Sequence, residues 1–318
     1  MNEFTLTPST CLPGWHAATI GFFDGVHLGH RYLMQQLQVL ARQGGLAPLV
    51  ITFDRHPRQV LQQGWHPQLL TSLEEKVGLL RQTGEVQVVV MPFTRQTAQL
   101  SARDFMHGVL LQQLGVRLLL TGYDNHFGHR TAGSSEGLCD YMAYGREMGI
   151  EVVCGSALSA EPMPQQKVSS SLVRRLLCEG RLAEANACLG RRYRLEGTVV
   201  HGEQIGRQMG FPTANMQLAD ADRLVPQNGV YAVYLTLGKK GPELPAMTNI
   251  GTRPTFDGHR RTIETHILGF SGDIYGEEIA VEFVARLRDE QHFASSSALA
   301  RQMAADAEEA RKTLNVQS

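Results

Sequence analysis

Apolar residues fall into two rhythms along this chain, and the change from one to the other divides it. Before about residue 190, short apolar runs alternate with stretches in which apolar positions recur every three or four residues. The runs Trp15–Phe22, Leu46–Phe53, Val86–Met91, Val116–Thr121 and Ile150–Cys154 predict buried strands. Between them, Ser72–Arg81, Ser101–Leu114 and Ser135–Glu147 predict helices, and from Leu28 onward Leu33, Leu37, Leu40 and Ala41 recur at helical spacing. Ser72 followed by Glu75, and Ser101 followed by Asp104, fit helix-start signals, in which a hydroxyl caps free backbone N–H groups. Strand and helix in alternation predict a doubly wound parallel sheet with ligand sites at the carboxyl ends of its strands.

After Tyr193 the rhythm changes. Leu195–Val200, Val230–Leu237, Ala246–Ile250, Thr262–Leu268 and Ile279–Leu287 are closely spaced strand candidates separated by Gly, Pro, Asn or Asp clusters. They predict a small antiparallel β-barrel, followed by one helix from about Ser295 to Leu314. The fold class is thus α/β plus β, with domains 1–189 and 190–318, each long enough to bury a core of its own. Neither an internal repeat nor a low-complexity linker interrupts the order.

Charge alters this picture only by exclusion. With 30 basic and 31 acidic residues the formal charge is -1, so no overall field favours nucleic acid or an anionic membrane, and any phosphate site must be local. The expected partners are small molecules, and no obligatory protein partner is evident. Five scattered cysteines without a Cys-x-x-Cys pair suit reduced thiols and a cytoplasmic location. Met1–Thr10 shows no basic stretch leading into an apolar core, so no secretory signal is expected, and no apolar run approaches membrane-spanning length.

The chemistry concentrates in a few runs. Gly21-Phe22-Phe23-Asp24-Gly25-Val26-His27-Leu28-Gly29-His30 falls where the first strand gives way to a helix. Glycines there let backbone N–H groups and a helix N-terminus approach an anion, and His27 and His30 add directed donors. Zinc is an alternative for two histidines three residues apart, but no second ligand pair is evident; an ordinary glycine-rich turn is another. Thr52-Phe53-Asp54-Arg55-His56-Pro57 and Gly122-Tyr123-Asp124-Asn125-His126-Phe127-Gly128 also follow predicted strands. Lys167-Val168-Ser169-Ser170-Ser171-Leu172-Val173-Arg174-Arg175 places hydroxyls at a helix start and guanidinium groups one turn later. It reads either as a serine cap with exposed arginines or as a polyphosphate cradle. The barrel half carries Gly206-Arg207-Gln208-Met209-Gly210-Phe211-Pro212-Thr213-Ala214-Asn215, Asn249-Ile250-Gly251-Thr252-Arg253-Pro254-Thr255-Phe256 and Thr262-Ile263-Glu264-Thr265-His266.

The first run resembles the nucleotide-binding signature of the nucleotidyltransferase superfamily. Together with the later runs, in order, it is similar to the bacterial bifunctional riboflavin kinase/FMN adenylyltransferase (FAD synthetase) family: G-x-F-D-G-x-H-x-G-H, F-x-P-H-P, G-x-D-F-x-F-G, I-S-S-T-x-I-R, then G-R-x-x-G-F-P-T-A-N and N-I-G-T-R-P-T-F. The likeness spans roughly residues 15 to 293. It implies a nucleotidyltransferase domain and a riboflavin kinase barrel, with riboflavin, FMN, FAD, ATP and ADP as ligands and Mg²⁺ as the cofactor.

In the first domain the resemblance implies that His27 and His30 bind ATP phosphates and stabilise the reacting α-phosphoryl group. Gly21, Phe23, Asp24, Gly25, His56, Asp124 and Phe127 would line the nucleotide and flavin site. Ser169, Ser170, Ser171 and Arg174 would hold the phosphates that leave as pyrophosphate. In the barrel, Thr213 and Asn215 would hold ATP-bound Mg²⁺, and Glu264 would take the proton of the terminal ribityl hydroxyl. Gly206 and Arg207 would cover the nucleotide phosphates, with Arg288 in a mobile segment near the flavin.

This sequence departs from the family pattern at Arg55, where the pattern has Pro, at Asn125 and His126, where it has Phe and Arg, and at Ser171, where it has Thr. Rival readings are a riboflavin kinase with lost or altered adenylyltransferase activity and a flavin- or nucleotide-responsive binding protein on the same scaffold.

Overall fold

The computed structural model describes residues 4–316 apart from 8, 63, 123–126, 129–135, 159–166, 203–205, 207–209, 239–240 and 256–257. The chain divides into two compact units, Met1–Ser170 and Ser171–Ser318.

The first unit is built on six parallel strands: β1 (Phe4–Thr5), β2 (His16–Ile20), β3 (Ala47–Phe53), β4 (Gln87–Met91), β5 (Val116–Thr121) and β6 (Glu151–Cys154), ordered β1-β4-β3-β2-β5-β6. Between them run α1 (Leu28–Gly44), α2 (Pro57–Leu61), α3 (Leu73–Arg81), α4 (Arg95–Gln99), α5 (Ala102–Asp104) and α6 (Leu138–Met148). After α5 a more loosely wound π-helical stretch runs through Phe105–Gln113.

Alternate strand residues point to opposite faces, so each strand feeds two cores. Ala17, Val50, Val88 and Leu118 pack against Met34 and Leu37 of α1 and Leu80 of α3; Ala18, Ile51, Val89 and Leu119 pack against Met106, Leu110 and Tyr141. Full burial of a side chain such as Leu37 contributes about 1.5–3 kcal/mol. The helix starts follow the capping pattern. Ser72 Oγ accepts from Glu75 N (3.2 Å) and Ser101 Oγ from Asp104 N (3.0 Å). Chain order runs from β2 outward through β3 and β4, then returns to β5 on the other side of β2. This reversal opens a crevice at the carboxyl ends of the central strands.

The second unit is a closed barrel of β7 (Tyr193–Val200), β8 (Ala214–Leu218), β9 (Gly229–Leu237), β10 (Glu243–Thr255), β11 (Gly258–Ile267) and β12 (Glu278–Arg288), ordered β10-β11-β8-β7-β12-β9 and antiparallel in every pairing. It also contains α7 (Ser170–Cys178, of which Ser170 belongs to the first unit), α8 (Leu182–Leu189) and α9 (Ser296–Thr313). Gln227 N donates to Leu177 O (3.0 Å) and Asn186 Nδ2 to Phe283 O (2.9 Å), tying α7 and α8 to the barrel. Ala307 and Ala310 of α9, with Leu314 just beyond its end, pack on Ala232 and Met247 of the barrel wall.

Strand β8 is absent from the sequence expectation. Its five residues, Ala-Asn-Met-Gln-Leu, become a strand by pairing with β7 and β11.

Candidate active sites

The glycine- and histidine-bearing turn leaves β2 at Gly21, whose N–H bonds Ile51 O (3.0 Å), and enters α1 at Leu28. Its backbone is strained. Phe23 (φ 51) and Val26 (φ 37) are left-handed, leaving Asn315 as the one other non-glycine residue with positive φ among the described residues, and Gly25 lies between them at φ 80. A β-branched residue in that region costs energy that persists at functional sites where the surroundings enforce it.

Here Asp24 does the enforcing. Its buried carboxylate accepts from Leu70 N (3.0 Å), Thr71 N (3.1 Å) and Thr71 Oγ1 (3.2 Å), while Thr71 Oγ1 accepts from Gly25 N (3.1 Å). The Asp24 carboxylate, expected from the resemblance to line the nucleotide site, is thus bonded to two backbone N–H groups and one hydroxyl of the segment before α3. Phe23 is buried, its ring edge-on to His30 (5.2 Å, 85°).

His27 is the N-cap of α1: its Nδ1 accepts from His30 N (3.3 Å), which leaves Nε2 to carry the proton. The rings of His27 and His30 stack at 3.6 Å with 20° between planes. Burial above all, with the charge of Lys76, holds His30 well below the usual imidazole range, so it is neutral at pH 7. Its buried Nδ1 has no partner.

Three further segments converge on this turn. From the loop after β3, the His56 ring meets Phe22 edge-on (4.9 Å, 76°) and caps α2 by accepting from Arg58 N (3.1 Å). Beside it Arg55 pairs with Asp54 (3.2 Å), whose other oxygen accepts from Phe93 N (2.8 Å). From α3, Lys76 donates to Phe53 O (2.8 Å) and lies 3.9 Å from the Phe22 ring centroid. From the end of the unit, Ser170 Oγ donates to Asp24 O (2.8 Å), and the Val168 carbonyl lies so close to Gly29 that a Cβ there would sit 3.0 Å from it. Ser169 is half-buried between them in sequence. Ser171 is exposed and Arg174 half-buried, both in the opening turns of α7 in the second unit.

Of the third loop, Asp124, Asn125 and His126 lie outside the described residues, as does Arg207 in the barrel. Phe127 is directed at the core. It stacks on Tyr141 (4.3 Å, 19°), packs beside Phe105, and its carbonyl accepts from Tyr141 Oη (3.0 Å).

Sequence reasoning missed Thr71 and Lys76, which lie 46 and more positions from the turn they support. The paired Ser72 and Glu75 marked the helix start, yet nothing local marked its lysine as buried. Burial lowers the Lys76 ammonium from 10.5 to about 8, against the charges of Asp24 and Asp54, which raise it. Between those two values the unfolded chain binds the extra proton, so stability contributed through Lys76 rises as pH increases from about 8 to about 10.5, by roughly 3 kcal/mol at most. Urea midpoints of wild type and Lys76→Met are expected to diverge over that interval, wild type gaining; parallel curves would contradict the buried-ammonium assignment.

In the barrel, β11 separates two cavities. Glu264 and His266 line one of about 410 Å³, with Gly206, Thr213, Asn249 and Arg288; Thr265 and Ile267 line the other, of about 510 Å³, with Val199, Phe270 and Tyr275. Strand alternation sends neighbouring residues to opposite sides, and Thr213 lines both cavities. Glu264 is opposite Asn215 of β8 and Asn249 of β10. Gly202 leaves room for the Asn215 amide, since a Cβ there would lie 2.1 Å from its Nδ2. Gly206 O accepts from Phe211 N (2.9 Å), closing the loop before Thr213.

Arg288 is the last residue of β12, and its Nε and Nη2 form a two-pronged ion pair with the buried Asp306 of α9 (2.9 and 2.6 Å).

A parallel sheet with a strained, histidine-bearing turn at its switch point, joined to a barrel with two cavities meeting at one threonine, defines a two-domain nucleotide-dependent transferase. Residues 13–172 match the family model described as FAD synthetase, and residues 189–314 that described as riboflavin kinase. A protein from Escherichia coli (strain K12) named bifunctional riboflavin kinase/FMN adenylyltransferase is 38% identical over 289 residues, covering 91% of this chain and 89% of that one. One of the same name from Listeria monocytogenes is 37% identical over 294 residues, covering 92% and 90%. The chain belongs to the bifunctional riboflavin kinase/FMN adenylyltransferase family.

A crystal structure titled as a macrolide-efflux protein from Streptococcus pneumoniae is 29% identical, with TM-score 0.82 and 98% of each chain covered. In the present chain, no helix among the described residues is long and apolar enough to cross a membrane.

Proposed function

We propose that the chain phosphorylates riboflavin to FMN in its barrel and transfers AMP from a second ATP to FMN on its parallel sheet, giving FAD and pyrophosphate. The observation that carries the kinase half is the pair of cavities on opposite faces of β11, joined at Thr213 with Glu264 on one wall. The larger, with Val199, Ile267, Phe270 and Tyr275, suits a purine; the other takes the flavin with its ribityl chain toward Glu264. Glu264 accepts the proton of the terminal hydroxyl as that oxygen attacks the γ-phosphoryl group, the bond to the β,γ-bridging oxygen breaks and ADP leaves. Thr213 and Asn215 would hold Mg²⁺ through their side-chain oxygens, and the ion would supply charge neutralisation to the phosphates. Gly206 borders the phosphates, and Arg288, fixed by Asp306, forms part of the flavin wall.

On the sheet, His27 Nε2–H and the His30 ring face the reacting phosphoryl group, beside the free N–H groups at the start of α1. Ser169 and Ser170 hold the departing pyrophosphate. Gly21, Phe23, Gly25 and His56 shape the adenylyl and flavin surface together with Asp124, while Asp24 and Phe127 secure the turn and the third loop. The support for neutral histidines is the N-cap bond at His27 and the burial of His30. Reaction then rests on alignment and charge stabilisation, with no enzyme nucleophile.

We place the functional boundary at 1–189 and 190–318, supported by the riboflavin kinase match that begins at residue 189. Five free cysteines, four of them exposed, support a reducing, cytoplasmic setting. The direct test is a time course with riboflavin, ATP and Mg²⁺. FMN is expected first and FAD after it. FMN without FAD would overturn the adenylyltransferase half, and absence of both the whole reading.

A further inference from the structure

We infer that His266 is a positioning residue of the kinase reaction, holding the Pro212–Thr213 peptide at the junction of the two barrel cavities. The inference rests on the kinase reading above. His266 is two residues beyond Glu264 on β11 and lines the same cavity. Its Nδ1 lies 2.8 Å from Pro212 O. A carbonyl only accepts, so Nδ1 carries the hydrogen and, in the neutral ring, Nε2 is a bare acceptor. Pro212 O belongs to the peptide whose nitrogen is that of Thr213, so this bond fixes the plane from which Thr213 projects.

A second contact fixes the same segment from the side. Phe211 meets the His266 ring edge-on at 5.3 Å and 68°, and Phe211 N is itself bonded to Gly206 O. The imidazole therefore clamps Phe211, Pro212 and Thr213 against β11 by one hydrogen bond and one ring contact. Proline leaves the loop without an N–H at 212 for a backbone ladder, which makes the carbonyl the available handle.

The ring stays neutral in this setting. Burial lowers its affinity for a proton, the Pro212 bond raises it, and the Arg311 guanidinium of α9 lowers it again. The charged and titratable groups lining its cavity are Glu264 on its own strand, Arg288 at the end of β12, Glu290 and His292 in the following segment, and Asp306 on α9.

The role is read by separating the donor from the ring. His266→Phe keeps an aromatic against Phe211 and deletes the donor; His266→Asn sets an amide N–H near the position of Nδ1. With one hydrogen bond lost, KM for MgATP in riboflavin phosphorylation is expected to rise about tenfold in His266→Phe. The melting temperature and FMN adenylylation stay near wild type, and His266→Asn recovers most of the loss. An unchanged KM for MgATP in His266→Phe overturns the inference, as does a His266→Asn variant no better than His266→Phe. If His266→Phe does not fold, His266→Gln, whose amide reaches toward the Nε2 position, serves as the variant lacking the Nδ1 donor. Failure of wild type to make FMN would instead sink the kinase reading on which the inference rests.

Discussion

Glu264→Gln is expected to slow riboflavin phosphorylation by about 10²–10⁴, the usual contribution of a general base, while riboflavin still binds and added FMN is still converted to FAD. Glutamine preserves the volume of the side chain and its hydrogen bonding opposite Asn215 and Asn249, but it does not take up a proton at neutral pH. The substitution therefore removes the base while leaving the wall of the 410 Å³ cavity in place. The decisive measurement is kinase turnover at saturating riboflavin and MgATP. A near-normal value would show that the proton leaves by another route and would take Glu264 off the list of catalytic groups. Loss of FMN adenylylation in the same variant would count against the independence of the two reactions.

The second large effect is expected at His30. His30→Ala should lower FMN-to-FAD conversion by about 10²–10³, the range seen when one directed donor to a developing charge is removed, with riboflavin phosphorylation nearly intact. His30 is the cleaner target of the stacked pair. His27 also caps α1 through Nδ1, so His27→Ala adds a stability loss of about 1 kcal/mol, whereas His27→Asn keeps a capping acceptor. Alanine at position 30 sits in the first turn of a helix, where its propensity is favourable. Both activities are measured on the same preparation after circular dichroism has established folding. Equal loss of the two in a folded His30→Ala variant would contradict the assignment of one reaction to each unit.

These variants probe groups that local sequence patterns exposed. The strand and helix rhythm placed β2, β3, β4, β5 and β6 to within two residues at each end, because one pleated strand needs only its own alternation or apolar run to be recognised. The caps at Ser72 and Ser101 were legible for a similar reason: the hydroxyl and the N–H that it accepts from are three residues apart. Strand β8 was not legible. Its short, mixed sequence follows Gly-Phe-Pro-Thr, and only the ladders to β7 and β11 make it extended. Yet β8 carries Asn215 and brings it opposite Glu264.

The candidate sites divide in the same way. Contiguity marked His27, His30 and the glycines around them, since turn, cap and helix start fit within ten residues. Nothing contiguous marked Lys76 or Thr71, or the contact from His266 to Pro212 across 54 positions. Phe127 shows the opposite limit: a motif placed it in register with ligand-binding loops, and packing against Tyr141 and Phe105 turned it to the core.

By itself the sequence determined the two rhythms, the order of the elements and the chemical groups carried at their ends, because periodicity and turn chemistry act between near neighbours. The tertiary structure alone decided which of those groups meet. Strand order brings the loop after β3, the loop before α3 and the segment at 168–170 against one strained turn, and barrel closure sets Glu264 and His266 on one face of β11 and Thr265 on the other. Such meetings depend on sheet register and on burial summed over a whole core, quantities that no short stretch of chain contains.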